Sequence, residues 1–107
     1  MVDLALGHIS ALEFSRSQPG FSAINLGTGR GTSVLELVHA FEQVTGRRIP
    51  YSIVERRPGD VAQSWAGVER ATRLLGWTTT RTIDAMCADG WRWRQANPTG
   101  YRSRAAA

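Results

Sequence analysis

The stretch Arg56-Arg57-Pro58-Gly59-Asp60 sets a guanidinium and a carboxylate three residues apart across a Pro-Gly turn. A guanidinium presents a planar fork of donors to diphosphate oxygens, worth about 1.5–3 kcal/mol per charge-assisted hydrogen bond. A carboxylate accepts from ribose hydroxyls, and Pro58-Gly59 tightens the chain so that both side chains can face one ligand. The same pair also fits a surface salt bridge that only braces a loop, worth about 0–1 kcal/mol. Ser64, four residues after Asp60, reads by itself as the start or cap of a helix near residue 67. A second stretch, Gly27-Thr28-Gly29-Arg30-Gly31-Thr32, imitates a dinucleotide-binding turn. Thr32 stands where the fingerprint G-x-G-x-x-G requires its third glycine. Glu42, near the distance of the ribose-binding acid, falls inside a helical pattern instead of at a strand end. The turn therefore reads as a sharp strand-to-helix connection, with Arg30 exposed on it.

The remaining chemistry-bearing residues read as structural. His8 has no partner at metal or triad spacing, and Cys87 lies on an apolar helical stripe as a small hydrophobe. Trp65, Trp77, Trp91 and Trp93 read as core and inter-lobe packing residues and not as base-stacking platforms. All 13 basic residues are arginine and the net charge is +4. Apart from the pairs Arg47–Arg48 and Arg56–Arg57 and the tail Arg102 and Arg104, they are scattered, which is the pattern of a solvated surface and not of a nucleic-acid footprint. One cysteine allows no internal disulfide, which makes a reducing cytoplasm the default compartment. No run approaches the roughly 20 apolar residues that span a bilayer. An apolar content of 42% over 107 residues suits one domain or one piece of a larger one.

These residues must be positioned by a small set of elements. Val2, Ala5, Leu6, Ile9 and Leu12 form a helical stripe over residues 2–15, with Asp3 at its entrance. Phe21 to Leu26 reads as a short strand leading into the glycine turn. Ser33 with Glu36 is a capping-box signature; Val34, Leu37, Val38, Phe41 and Val44 follow at helical spacing until Gly46. Residues 48–55 alternate as an edge strand. A short helix is expected at about 67–75, closed by Gly76. The last helix, at about 83–95, is opened by Thr80 or Thr82 and stopped at Asn97-Pro98. The tail from 102 on is expected to be disordered. The fold class is mixed α/β, with about four helices and two or more short strands. Two short strands do not make a stable sheet alone, so they pair with each other or extend a sheet supplied from elsewhere.

In this order the pieces "VDLALGH", "NLGTGRGTSVLELV", "RRPGD", "LLGW" and "RTIDAMCADGWRWRQANPTGY" resemble the C-terminal end of the UDP-glucose 4-epimerase family, within the extended short-chain dehydrogenase/reductases. The resemblance covers about residues 2–101. The part "NLG" with "SV" is shared with nucleotide-sugar dehydratases and decarboxylases, so a substrate domain of one of those is an alternative. A stand-alone module that binds UDP-sugars or a protein without catalysis is another.

The resemblance implies a small substrate-binding lobe at residues 1–101 without the Rossmann domain. It implies that NAD is bound by an N-terminal domain outside this chain, so that this chain binds no cofactor. The family moves hydride from C4 of the hexose to NAD⁺ with a Tyr-x-x-x-Lys pair. The chain has only Tyr51 and Tyr101 and no lysine, so by itself it is expected to be inactive. The family segment "RDYIHV", which helps line the substrate site, would precede Met1. The resemblance assigns Arg57 and Asp60 to the UDP moiety and sets Ser64 against the C2 substituent of the sugar. A small residue there resembles members that accept N-acetylhexosamines. The expected partners are a UDP-hexose and the N-terminal Rossmann domain. Without that domain an apolar interface around Leu4, Ile24, Trp65 and Trp91 would be bared, allowing self-association.

Overall fold

A computed structural model of the chain describes residues 1–101; the tail expected to be disordered lies outside the described residues. Four helices follow in order: α1 (Val2–Ser17), α2 (Val34–Thr45), α3 (Glu69–Leu75) and α4 (Ile83–Ala96). They belong to two compact units. The first is built from Met1–Thr32 and Ser52–Arg81, the second from Ser33–Tyr51 and the described residues from Thr82 on.

In the first unit α1 packs against α3. Asp3 in the first turn of α1 and Arg16 in the last complement the helix dipole. The helix runs on to Ser17 and stops where Gln18 meets Pro19, because a residue before proline is pushed out of the helical region. At α3, Val68 stands at the N-cap without a side-chain cap, and Gly76 closes the helix in the left-handed conformation at φ 61°. Asp3, Gly7, Ala71 and Trp77 are the buried residues here. The indole N–H of Trp77 donates to the Asp3 carbonyl at 3.0 Å.

In the second unit α2 packs against α4, burying Ala40 and Cys87. The capping box forms as its sequence signature requires: Ser33 Oγ accepts from the Glu36 N–H at 3.1 Å, and Glu36 Oε2 accepts from the Ser33 N–H at 2.6 Å. Gly46 ends α2 in the left-handed region. Thr82, not Thr80, caps α4, its hydroxyl accepting from the Ala85 N–H.

One expectation is corrected. Among the described residues there is no β-strand; residues 21–26 and 48–55 run without a ladder. A strand persists only when its backbone groups find a neighbouring strand, and neither segment finds one. Trp77 is buried, Trp91 is half-buried beneath the Arg47 guanidinium, 5.3 Å from the ring centroid, and Trp65 and Trp93 are exposed. The buried positions of α2, α3 and α4 hold Ala40, Ala71 and Cys87. Of the four residues expected at an open interface, Leu4 and Trp65 are exposed, whereas Ile24 and Trp91 are half-buried.

Candidate functional site

Arg57, Pro58, Gly59 and Asp60 form a β-turn in the first unit. The Asp60 N–H donates to the Arg57 carbonyl at 3.2 Å, and Gly59 takes φ 89°. Proline in the second position and a positive-φ glycine in the third are the requirements of a type II turn. The turn brings the side chains at its two ends together. Arg57 Nε reaches Asp60 Oδ2 at 3.4 Å, and Nη2 reaches Oδ1 at 3.3 Å. The guanidinium fork thus lies along the carboxylate, with the two side chains 85% and 41% exposed. An ion pair so open to water holds its partners with about 0–1 kcal/mol. A ligand offering phosphate oxygens to the guanidinium and hydroxyls to the carboxylate would therefore displace it at little cost.

Ser64 lies exposed on the loop that follows. It does not cap α3, whose N-cap is Val68, so the helix-start reading of this serine fails. Arg30 is exposed, as the sequence indicated, and His8 turns its Nδ1 to the Leu4 carbonyl of its own helix at 2.8 Å.

Asp3 is the polar residue whose place the sequence concealed. Its Oδ2 accepts from the Thr80 N–H at 3.1 Å and the Arg81 N–H at 2.9 Å. Its Oδ1 accepts from the Thr80 hydroxyl at 3.1 Å and faces Arg81 Nη1 at 3.6 Å. The Arg81 N–H holds the Asp3 carboxyl below its ordinary range; burial opposes this, and the Thr80 bonds and the Arg81 charge add to it. An acid in a first turn looks like a dipole partner in sequence, and only its long-range donors mark it as a structural tie. The Cys87 thiol is pushed up, by burial first and then by the Asp84 charge. Among the described residues no cluster of His, Cys, Asp or Glu could hold a metal ion, and no helix is long and apolar enough to cross a membrane.

No family model matches the chain. It is 52% identical over 103 residues to UDP-glucose 4-epimerase of Bacillus subtilis, a match over 96% of this chain and 30% of the relative. The Dictyostelium discoideum enzyme of that name is 54% identical over 102 residues, 94% of this chain and 30% of the relative. The Homo sapiens enzyme is 49% identical over 105 residues, 98% of this chain and 30% of the relative. The crystal structure of UDP-glucose-4-epimerase from Stenotrophomonas maltophila, with bound NAD and formylated UDP-arabinopyranose, matches at TM-score 0.85 and 46% identity over 92% of this chain and 30% of that one. The Bifidobacterium longum enzyme with NAD+ and UDP matches at TM-score 0.79 and 41% identity over 94% and 30%. The chain matches the C-terminal portion of UDP-glucose 4-epimerase. It spans 30% of the length of the relatives it matches.

The glycine turn of this chain does not fit NAD. A Cβ on Gly29 would stand 3.0 Å from Val68 Cγ2, and one on Gly27 would stand 3.2 Å from the Ala66 Cβ. These glycines thus admit the chain's own 66–68 segment, where a dinucleotide turn would admit a pyrophosphate. At the start of α2, Glu36 already supplies a carboxylate to the Ser33 N–H, the kind of donor that a bound phosphate would need.

Proposed function

We propose that this chain forms the UDP-sugar-binding part of a UDP-glucose 4-epimerase. Arg57 takes the diphosphate, Asp60 the ribose hydroxyls, and Ser64 lies beside the C2 substituent of the hexose. The observation that carries this reading is the roughly 50% identity to enzymes of that name over almost the whole chain. The type II turn supports it, since it presents a guanidinium and a carboxylate on one side with little internal cost. NAD and the hydride-transferring tyrosine and lysine belong to the part of the enzyme that this chain does not cover. With no lysine in its sequence, the chain holds no Tyr-x-x-x-Lys pair and leaves UDP-glucose unchanged on its own. Serine at position 64 leaves room for an N-acetyl group, so UDP-N-acetylglucosamine is a ligand as well as UDP-glucose.

The test is an amide NMR spectrum of the chain titrated with UDP-N-acetylglucosamine. Shifts confined to residues around 57–64 are expected. A dispersed spectrum indifferent to the ligand at millimolar concentration refutes the clamp. Shifts elsewhere would give this chain a different nucleotide site.

A further inference from the structure

We infer that the glycine turn at residues 27–31 is the seat that positions Ser64, and through it sets which C2 substituents the sugar site admits. This rests on the reading of Ser64 as the residue beside C2 of the hexose. Ser64 is exposed, and among the described residues nothing hydrogen-bonds to its hydroxyl. Its place is therefore fixed by the residues that follow it. A Cβ on Gly27 would stand 3.2 Å from the Ala66 Cβ and 3.9 Å from Val68 Cγ1, one on Gly29 3.0 Å from Val68 Cγ2, and one on Gly31 3.4 Å from Trp65 Cε3. Glycines at every second position thus receive three of the four residues after Ser64. Ala66 and Val68 are half-buried on this seat, whereas residues 61–65 are exposed.

The seat is itself held in shape. The Thr28 hydroxyl donates to the Arg30 carbonyl at 2.9 Å and accepts from the Arg30 N–H at 3.4 Å, which fixes the turn from within. Beyond Val68, Arg70 Nη1 donates to the Ala23 carbonyl at 3.1 Å, a bond across 47 residues that ties the start of α3 to the chain leading into the turn. The Arg57–Asp60 turn lies in the same unit but closes on its own backbone bond. Nucleotide binding and sugar discrimination are thus supported separately, the first by the Pro-Gly turn and the second by the glycine seat. Only two peptide units separate Ala66 from Ser64, so a displacement at 66 reaches the serine. Shifts of less than an ångström already forfeit much of a van der Waals contact. An N-acetyl group fills the space beside Ser64 that a hydroxyl leaves slack, so the larger sugar senses the shift first. Gly27, Gly29 and Gly31 are positioning residues that act on specificity without touching the ligand.

The experiment titrates the chain and its variants with UDP, UDP-glucose and UDP-N-acetylglucosamine, followed by amide NMR. Gly27 is not among the positive-φ glycines, so Gly27→Ala acts through the added methyl alone. The variant should bind UDP like the parent. Its affinity for UDP-N-acetylglucosamine relative to UDP-glucose should fall by about threefold, short of the roughly tenfold or more that a whole methylene commands in a pocket. The double variant Gly27→Ala/Ala66→Gly moves the methyl to the other side of the contact and should restore the ratio, as recovery from a general loss of stability would not. If Gly27→Ala does not fold, Ala66→Gly, which empties the seat, takes its place with the same expected loss. Gly90→Ala, in the other unit with open space around it, should leave the ratio unchanged. A parent chain that binds no UDP refutes the clamp and takes the inference with it. If Ser64→Tyr leaves the ratio unaltered, the reading of Ser64 falls together with the inference. If Ser64→Tyr alters the ratio and Gly27→Ala does not, or if the double variant fails to restore it, the inference alone is overturned.

Discussion

Replacing Arg57 by alanine separates a ligand clamp from a loop brace, because the two roles differ in size. In the free chain the guanidinium is 85% exposed and meets Asp60 at 3.3 and 3.4 Å. A pair so exposed contributes about 0–1 kcal/mol, so the variant should unfold within about 1 kcal/mol of the parent. Against a diphosphate the same fork makes two charge-assisted hydrogen bonds, each worth about 1.5 kcal/mol at the low end that suits an open site. Subtracting up to about 1 kcal/mol for the Asp60 pair given up on binding leaves about 2–3 kcal/mol. That is a loss of roughly 30- to 150-fold in affinity, at about 1.4 kcal/mol per tenfold. Arg57→Lys keeps the charge but not the planar fork and should fall between. The assay is an NMR or calorimetric titration with UDP, beside a denaturant melt of each variant. An alanine variant that binds UDP within about threefold of the parent, against the roughly 30-fold minimum worked from the hydrogen bonds, would refute the clamp. A variant that loses binding only because it has unfolded would appear in the melt.

Other expectations follow from the same structure. Ser33→Ala removes the acceptor for the Glu36 N–H and should cost about 1 kcal/mol in a denaturant melt; an unchanged midpoint would mean that the box contributes nothing. The carboxyl of Asp3 titrates lower in the folded chain than in the unfolded one. Its contribution is therefore fully present above the ordinary carboxylate range near pH 4 and is lost as the pH falls through the lower folded value. Asp3→Asn should flatten that acid limb of the stability curve, and an unaltered limb would sink the assignment. Cys87, 1% exposed with its thiol raised by burial, should resist an aromatic disulfide reagent at neutral pH until denaturant is added. Ser64→Tyr should fill the space at the sugar C2 position and weaken UDP-N-acetylglucosamine more than UDP-glucose in the NMR titration. Equal effects on both sugars would remove Ser64 from the site.

The local elements were legible because they are specified by short-range chemistry. Ser33 and Glu36 predict the start of α2, Gly46 and Gly76 predict two helix ends, and Arg57-Pro58-Gly59-Asp60 predicts its own turn. What the sequence concealed depends on distant partners. Residues 21–26 and 48–55 alternate like strands, but alternation states a preference for a sheet and not the presence of a neighbour to pair with. The stripe on α1 is plain in the sequence, yet periodicity does not say which side of a helix meets its own chain. Asp3 looked like an ordinary first-turn acid because its donors lie at Thr80 and Arg81.

The tie between Asp3 and Thr80 spans 77 residues, and this bears on the order in which the molecule is made. The first unit is assembled from two separate stretches of chain with α2 between them. Its turn at Asp3 receives hydrogen bonds from residues 77 and 78 positions later. Contacts of such long sequence separation require a large loop to close before they give any return, which slows folding relative to helical proteins of local contact. On the ribosome α1 therefore emerges long before the segment that seats it. Throughout that interval its carboxylate is solvated, and both of its sides are open to whatever meets it first.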